Sequence, residues 1–157
     1  MDAAGKAIRD VIEACFPAFC VRSISFPVGA GWSTYLAEGW GSAEWEVNED
    51  YVFRFPKRPE IAPGLLKEIR LLPVLAPNLP LRVPQFECVW PGGPPYAGVF
   101  VGYHKIPGQQ LSPEHIHSAA PELAQQLGAF LTSLHRFPLA QAAALGVPGG
   151  RPQEWRE

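Results

Sequence analysis

With 157 residues, 47% of them apolar and 18% charged, the chain is long enough for one sizeable hydrophobic core, and its composition excludes a disordered protein. The formal net charge is −2 and no run of lysine or arginine stands out, so neither nucleic acid nor an anionic membrane surface is expected as a partner. No apolar stretch approaches the roughly 20 residues that cross a bilayer, and Met1–Asp10 lacks the apolar core of a signal peptide, so a cytoplasmic location is expected.

In chain order, Ala3–Cys15 is expected to be a helix, because Ala4, Ala7, Ile8, Val11 and Ile12 share a stripe that Lys6, Arg9, Asp10 and Glu13 mostly avoid. Pro17 ends it. Val21–Phe26 and Ser33–Leu36 alternate as short strands, with Gly29-Ala30-Gly31-Trp32 read as a turn between them. Ala43–Val47 and Tyr51–Phe55 are aromatic and β-branched runs around the turn-prone triplet Asn48-Glu49-Asp50, a pattern that predicts a β-hairpin. The two-residue period of a strand puts Tyr51, Phe53 and Phe55 on one side, and Val52 and Arg54 on the other.

Pro56–Gly64 is expected to be a loop, and Leu65–Leu75 a helix whose last turn Pro73 breaks or kinks. Gln85–Trp90 and Tyr96–Tyr103 are expected as strands around Pro91-Gly92-Gly93-Pro94, and Lys105–Gly108 as a connector. Pro121–Phe137 is the clearest helix, with Leu123, Leu127, Phe130, Leu131 and Leu134 on one face. Leu139–Glu157 begins alanine-rich, turns to glycine and proline, and reads as a chain cut in mid-fold. The 18 prolines divide the chain into short pieces, which favours a mixed α+β fold.

Several residues invite chemistry. Glu38-Gly39-Trp40-Gly41-Ser42 sets two glycines ahead of a strand. Backbone N–H groups there can approach phosphate oxygens and Ser42 can add a hydroxyl, but the same residues suit an ordinary hairpin turn. Arg54 lies in a short apolar strand, where a guanidinium needs either a partner or an edge position that reaches water. Lys57 is a nearby alternative cation, on the other face three residues along. Glu68 shares a helix face with Leu65 and Leu72, which points it toward the sheet, although Lys67 or Arg70 could hold it at the surface instead.

Other side chains take plainer readings. His115 and His117 have no helical metal spacing, and His135 is expected to pack or cap the end of its helix. Trp40 is placed to shield the glycine turn, while Trp45 and Trp90 are read as core or sheet-face residues. Cys15, Cys20 and Cys88 form neither a disulfide framework nor a metal set and are read as reduced thiols.

Taken in order, Leu36–Asn48 with Tyr51–Pro59, then Lys67–Pro73 with Leu79-Pro80 and Val83-Pro84, then Gly102–Gly108 with Leu134-His135, the chain resembles the aminoglycoside phosphotransferases and related small-molecule kinases. The resemblance covers most of residues 30 to 137. It implies a protein-kinase-like N-terminal lobe over residues 1–104, an antiparallel sheet of about five strands plus a helix. A hinge and the truncated start of a C-terminal lobe would follow over residues 105–157.

It further implies that Gly39, Trp40, Gly41 and Ser42 cover the phosphates of ATP or GTP. Arg54 would stand where the family's lysine holds them, with Glu68 steadying Arg54. Tyr103, His104, Lys105 and Ile106 would meet the base, largely through backbone groups. Two departures stand out: Gly41 occupies a position where the family often has aspartate, and arginine is no simple substitute for lysine. The implied reaction carries the γ-phosphoryl group to a hydroxyl of an aminoglycoside-like small molecule.

The family's chemistry also uses an aspartate of a His-Gly-Asp-type loop and magnesium-holding residues further on. The only aspartates here are Asp2, Asp10 and Asp50, so neither catalytic nor metal ligands of that kind follow the connector. This chain alone is therefore expected to be inactive. The alternatives to an enzyme's N-terminal part are a non-catalytic nucleotide-binding or interaction module, and a truncated product without function.

Overall fold

The computed structural model describes residues 3–26, 41–108 and 120–149. Its elements are α1 (Ala3–Cys15), β1 (Ile24–Ser25), β2 (Ser42–Val47), β3 (Tyr51–Pro56), α2 (Ala62–Leu75), β4 (Phe86–Trp90), β5 (Phe100–His104), α3 (Ala120–His135) and α4 (Leu139–Ala144). The strands form one antiparallel sheet in the order β1-β2-β3-β5-β4. Five antiparallel strands with α2 against them are the α+β, kinase-like N-terminal lobe that the sequence implies. The strand expected at Ser33–Leu36, the turn at Gly29–Trp32, and His115 and His117 lie outside the described residues. No helix among the described residues is long and apolar enough to cross a membrane.

The hairpin of β2 and β3 is the centre of the sheet. Val47 pairs with Tyr51 across Asn48–Asp50, where Asn48 and Glu49 take φ of 55° and 66°. Asparagine tolerates that left-handed backbone, because its short polar side chain can bond locally. Here the Asn48 Oδ1 accepts from the backbone N–H of Arg22 at 2.7 Å and of Ser23 at 3.2 Å, while its Nδ2 donates to the Cys20 carbonyl at 2.8 Å. One turn residue thus ties the hairpin to the segment entering β1.

Alternation along the strands gives the sheet two unlike faces. On one, Trp45, Val47, Phe53, Phe55 and Phe100 are buried together with Ile12 and Cys15 of α1. Phe55 stacks on Phe100 with centroids 4.5 Å apart, and Phe19 meets Phe53 edge-on at 5.2 Å. Close approach makes glycine necessary at position 102: a Cβ there would lie 2.6 Å from Phe53 Cε1. On the other face, α2 covers β5 and β4 through Leu65, Val99 and Val101, with Ala62, Ile69, Phe86 and Val89 around them. It leaves the β2–β3 part of that face to charged side chains.

The structure differs from the sequence-based elements in several places. Only Ile24–Ser25 of Val21–Phe26 pairs as a strand, and Ala4 and Ala7 of the expected α1 stripe are exposed while Gly5 is buried. Pro56–Gly64 is not all loop: a 3-10 turn at Pro59–Ile61 leads into α2, which starts at Ala62 with Pro63 in its first turn, where a missing N–H costs nothing. Pro73 does not break α2 either. The helix runs on to Leu75, and the Ala76 N–H still donates to the Leu72 carbonyl, so proline removes one donor near an end. Tyr96–Val99 stays outside β5, because the Tyr96 carbonyl accepts from Trp90 Nε1 at 2.7 Å rather than from a ladder partner.

Beyond the connector, α3 has no buried residue. Leu127 is 55% exposed and Leu131 40%, so the apolar stripe read from the sequence is only partly covered. Behind α2, Leu71 and Leu75 line a hollow with Leu134 of α3, Phe137, Ala142 of α4 and Val147.

Candidate functional site

Glu44, Arg54 and Val101 are cross-strand partners on adjacent strands, and so are Glu46, Val52 and Tyr103. Partners in an antiparallel ladder share a face. The result is a row of charge on β2 and β3 beside the apolar patch that α2 covers. Arg54 is at its centre, only 19% exposed. Its Nη1 donates to Glu68 Oε2 at 2.8 Å and its Nη2 to Glu68 Oε1 at 3.5 Å, so α2 supplies a two-pronged carboxylate partner.

At the Nε of the same guanidinium Glu44 Oε1 approaches to 3.6 Å, too far for a hydrogen bond, and among the described residues that buried Nε has no acceptor. Burial works against the Arg54 charge, but the Glu68 hydrogen bond and the charges around it more than offset this and leave its pKa above the ordinary value. The surface alternatives for Glu68 and the open-edge alternative for Arg54 are therefore not what the fold adopts. Lys57 is exposed, and its backbone N–H donates to the Gly41 carbonyl at 2.9 Å.

Two further groups complete the face. Tyr103 is buried beside Val52, and burial, then Glu44 and Glu68, push its phenol up to about 12 against the pull of Arg54. Lys105, first residue of the connector, places Nζ 2.8 Å from Glu46 Oε2, while its backbone N–H donates to the Asp50 carbonyl at 2.7 Å. That N–H is thus engaged within the fold rather than turned toward a purine edge. Ile106 is half-buried in the connector. His104 sends its side chain to the other face, over the Tyr51 ring at 4.1 Å and 3.6 Å from Glu87, which leaves only its backbone for the cleft side.

At the glycine turn, Gly39 and Trp40 lie outside the described residues, while Gly41 and Ser42 lead into β2. Gly41 does not take a left-handed backbone. Space is what it needs: a Cβ would come within 2.9 Å of Ile61 Cγ2. An aspartate at that position would have to displace Ile61, which gives a local reason for glycine.

Sequence reasoning missed Glu44 and Glu46. The signal was present, because Ser42, Glu44 and Glu46 alternate with Ala43, Trp45 and Val47. Once Trp45 is matched to Phe53, the two glutamates fall on the Arg54 side.

Among the described residues the buried Arg54 Nε keeps an N–H without an acceptor. Among the described residues no group of three or more His, Cys, Asp or Glu is placed to hold a metal ion, and no chemistry is derived through one.

Comparison with known proteins follows the same lines. No curated protein matches the chain. Among solved structures, the GDP and kanamycin complex of APH(2")-IIia is 33% identical with a TM-score of 0.78, over 92% of this chain and 46% of that one. The GDP complex of wild-type aminoglycoside 2'-phosphotransferase-IIIa is 31% identical with a TM-score of 0.81, over 96% and 48%. The macrolide 2'-phosphotransferase MphH of Brachybacterium faecium shares the fold at 23% identity and a TM-score of 0.64, over 94% and 48%. The chain therefore spans just under half the length of these structures. A model of the phosphotransferase enzyme family matches residues 32–157. The match takes in four strands of the sheet and all of α2, and the chain belongs to the phosphotransferase enzyme family.

Proposed function

We propose that this chain is the nucleotide-binding part of a small-molecule phosphotransferase, with residues 1–104 as the nucleotide lobe and residues 105–157 as the hinge and the start of the second lobe. The whole protein would move the γ-phosphoryl group of ATP or GTP to a hydroxyl of an aminoglycoside-like acceptor. The observation that carries this is the Arg54–Glu68 pair, a half-buried guanidinium held by a helix carboxylate beside the Gly41–Ser42 turn.

In this reading Glu68 fixes the plane of the guanidinium, and Arg54 presents its remaining donors to phosphate oxygens. Gly39, Trp40, Gly41 and Ser42 close over the phosphates with backbone N–H groups. Tyr103, His104, Lys105 and Ile106 border the base, with Val52 beneath it. GDP is the ligand to test first, because two relatives above 30% identity are GDP complexes. No aspartate follows Asp50 in this chain, so acceptor activation and magnesium binding would fall to residues outside it.

Titration calorimetry of the chain with GDP and Mg²⁺ tests the nucleotide half of the proposal. Replacing Arg54→Ala should weaken binding by roughly 10- to 100-fold, the worth of charge-assisted bonds to phosphate. Equal, weak binding by both proteins would remove Arg54 from the site. For the acceptor half, the longer protein carrying both lobes should add one phosphate to kanamycin or a related aminoglycoside, read by mass spectrometry. No phosphorylated product across aminoglycosides and macrolides would sink that assignment. A second reading, a nucleotide-binding module without catalysis, predicts GDP binding without transfer.

A further inference from the structure

The reading above uses one of the two carboxylates that flank Arg54. The other, Glu44, sits on β2 and approaches the guanidinium at Nε, whereas Glu68 bonds Nη1 and Nη2. One positive charge is thus bracketed by two negative ones. Glu68 makes both hydrogen bonds, and Glu44 makes none with Arg54, although it is only 17% exposed. Among the described residues, the charged and titratable groups around Glu44 are Arg54 on β3, Tyr103 on β5, Glu68 on α2 and, along its own strand, Glu46 held by Lys105.

We propose that Glu44 is the charge gate of the phosphate position, which admits an anion at Arg54 only when a proton has neutralised Glu44, so that nucleotide binding takes up a proton. The inference rests on the reading of Arg54 as the phosphate-holding cation.

The geometry supports it in three steps. An anion that bonds one of the remaining N–H groups of Arg54 comes within a few ångströms of Glu44, and two like charges in a half-buried setting repel strongly. Protonation removes that repulsion and turns Glu44 from an acceptor into an O–H donor, which can bond a phosphate oxygen. Arg54 meanwhile keeps its partner, since Glu68 holds it from α2. The Glu44 carboxyl is already biased toward the neutral form: burial raises it, Arg54 opposes, and Glu68 adds to the rise. A bound phosphate adds negative charge and moves it further up. Affinity therefore falls as pH rises through the titration of Glu44.

The test is calorimetry of GDP with EDTA present, for the wild type, Glu44→Gln and Glu44→Asp, from about pH 4.5 to about pH 8. GDP's own ionisation is common to all three and cancels in their ratios. Wild type and Glu44→Gln should bind alike at the acid end, and Glu44→Gln should bind about tenfold more tightly at the alkaline end. Glu44→Asp, which keeps the charge, should keep the wild-type pH dependence and shows that the effect is not one of packing. A wild-type to Glu44→Gln ratio that stays constant with pH, or a weaker Glu44→Gln at pH 8, overturns the gate while the nucleotide reading stands. Absence of GDP binding in all three proteins at every pH overturns both.

Discussion

The two faces of the central hairpin come from the same twelve residues of β2 and β3 taken alternately, and they share a backbone and a ladder of hydrogen bonds. On one face Trp45, Phe53 and Phe55 interlock with α1 and Phe100, and burial is nearly complete. On the other, Glu44, Glu46 and Arg54 meet Glu68 and Lys105 in ion pairs that keep part of their surface in water. Apolar burial stabilises in proportion to area, whereas half-exposed ion pairs contribute little after desolvation and ordering. The first face holds the lobe together, and the second is free to be chemically specific.

Breaking the aromatic face should have the largest effect. Phe53→Ala removes a fully buried ring that touches Phe19 and Phe100, and should cost about 3–5 kcal/mol of stability in urea unfolding. A loss below about 1 kcal/mol would mean that this face is not the stabilising one.

A smaller effect should come from Tyr103, which sharpens the contrast from the charged side. Its phenol is raised from 10.0 to about 12 by burial first and then by Glu44 and Glu68. In the folded state the proton is held more tightly than in the unfolded chain, so this contribution is intact below pH 10. It is lost as pH climbs from about 10 to about 12, in total on the order of 2–3 kcal/mol. Tyr103→Phe should flatten the stability profile across that window, as followed by circular dichroism in urea at each pH. Identical profiles for both proteins would assign the alkaline loss to other groups.

Much of this division could be read in the sequence. The alternation Tyr51, Phe53, Phe55 against Val52, Arg54 is a local property of a strand, and the structure keeps it. The Arg54–Glu68 pair was also legible, because helix periodicity aims Glu68 at the sheet through Leu65 and Leu72.

What could not be read depends on contacts distant in the chain. The 59-residue separation between Lys105 and Glu46 leaves no local trace. Gly41 looked like a position chosen for backbone freedom, and only the packing of Ile61 reveals that space is what it supplies. Pro73 looked like a helix breaker, yet α2 absorbs it so near its end. The roles of Gly39 to Ser42, Arg54 and the connector in nucleotide binding remain part of the proposed function.

Consider finally the first residue of the connector. Lys105 is fastened twice to the hairpin, by its backbone N–H to the Asp50 carbonyl and by its ammonium to Glu46. Those two bonds make Lys105 a mechanical extension of the sheet. The residues that follow it, Ile106–Gly108, carry no regular structure. Pro107 sits inside that three-residue span and locks one of its torsions. The rigid body of the sheet therefore reaches one residue past β5, and Lys105 moves with the strands rather than with the chain that follows it.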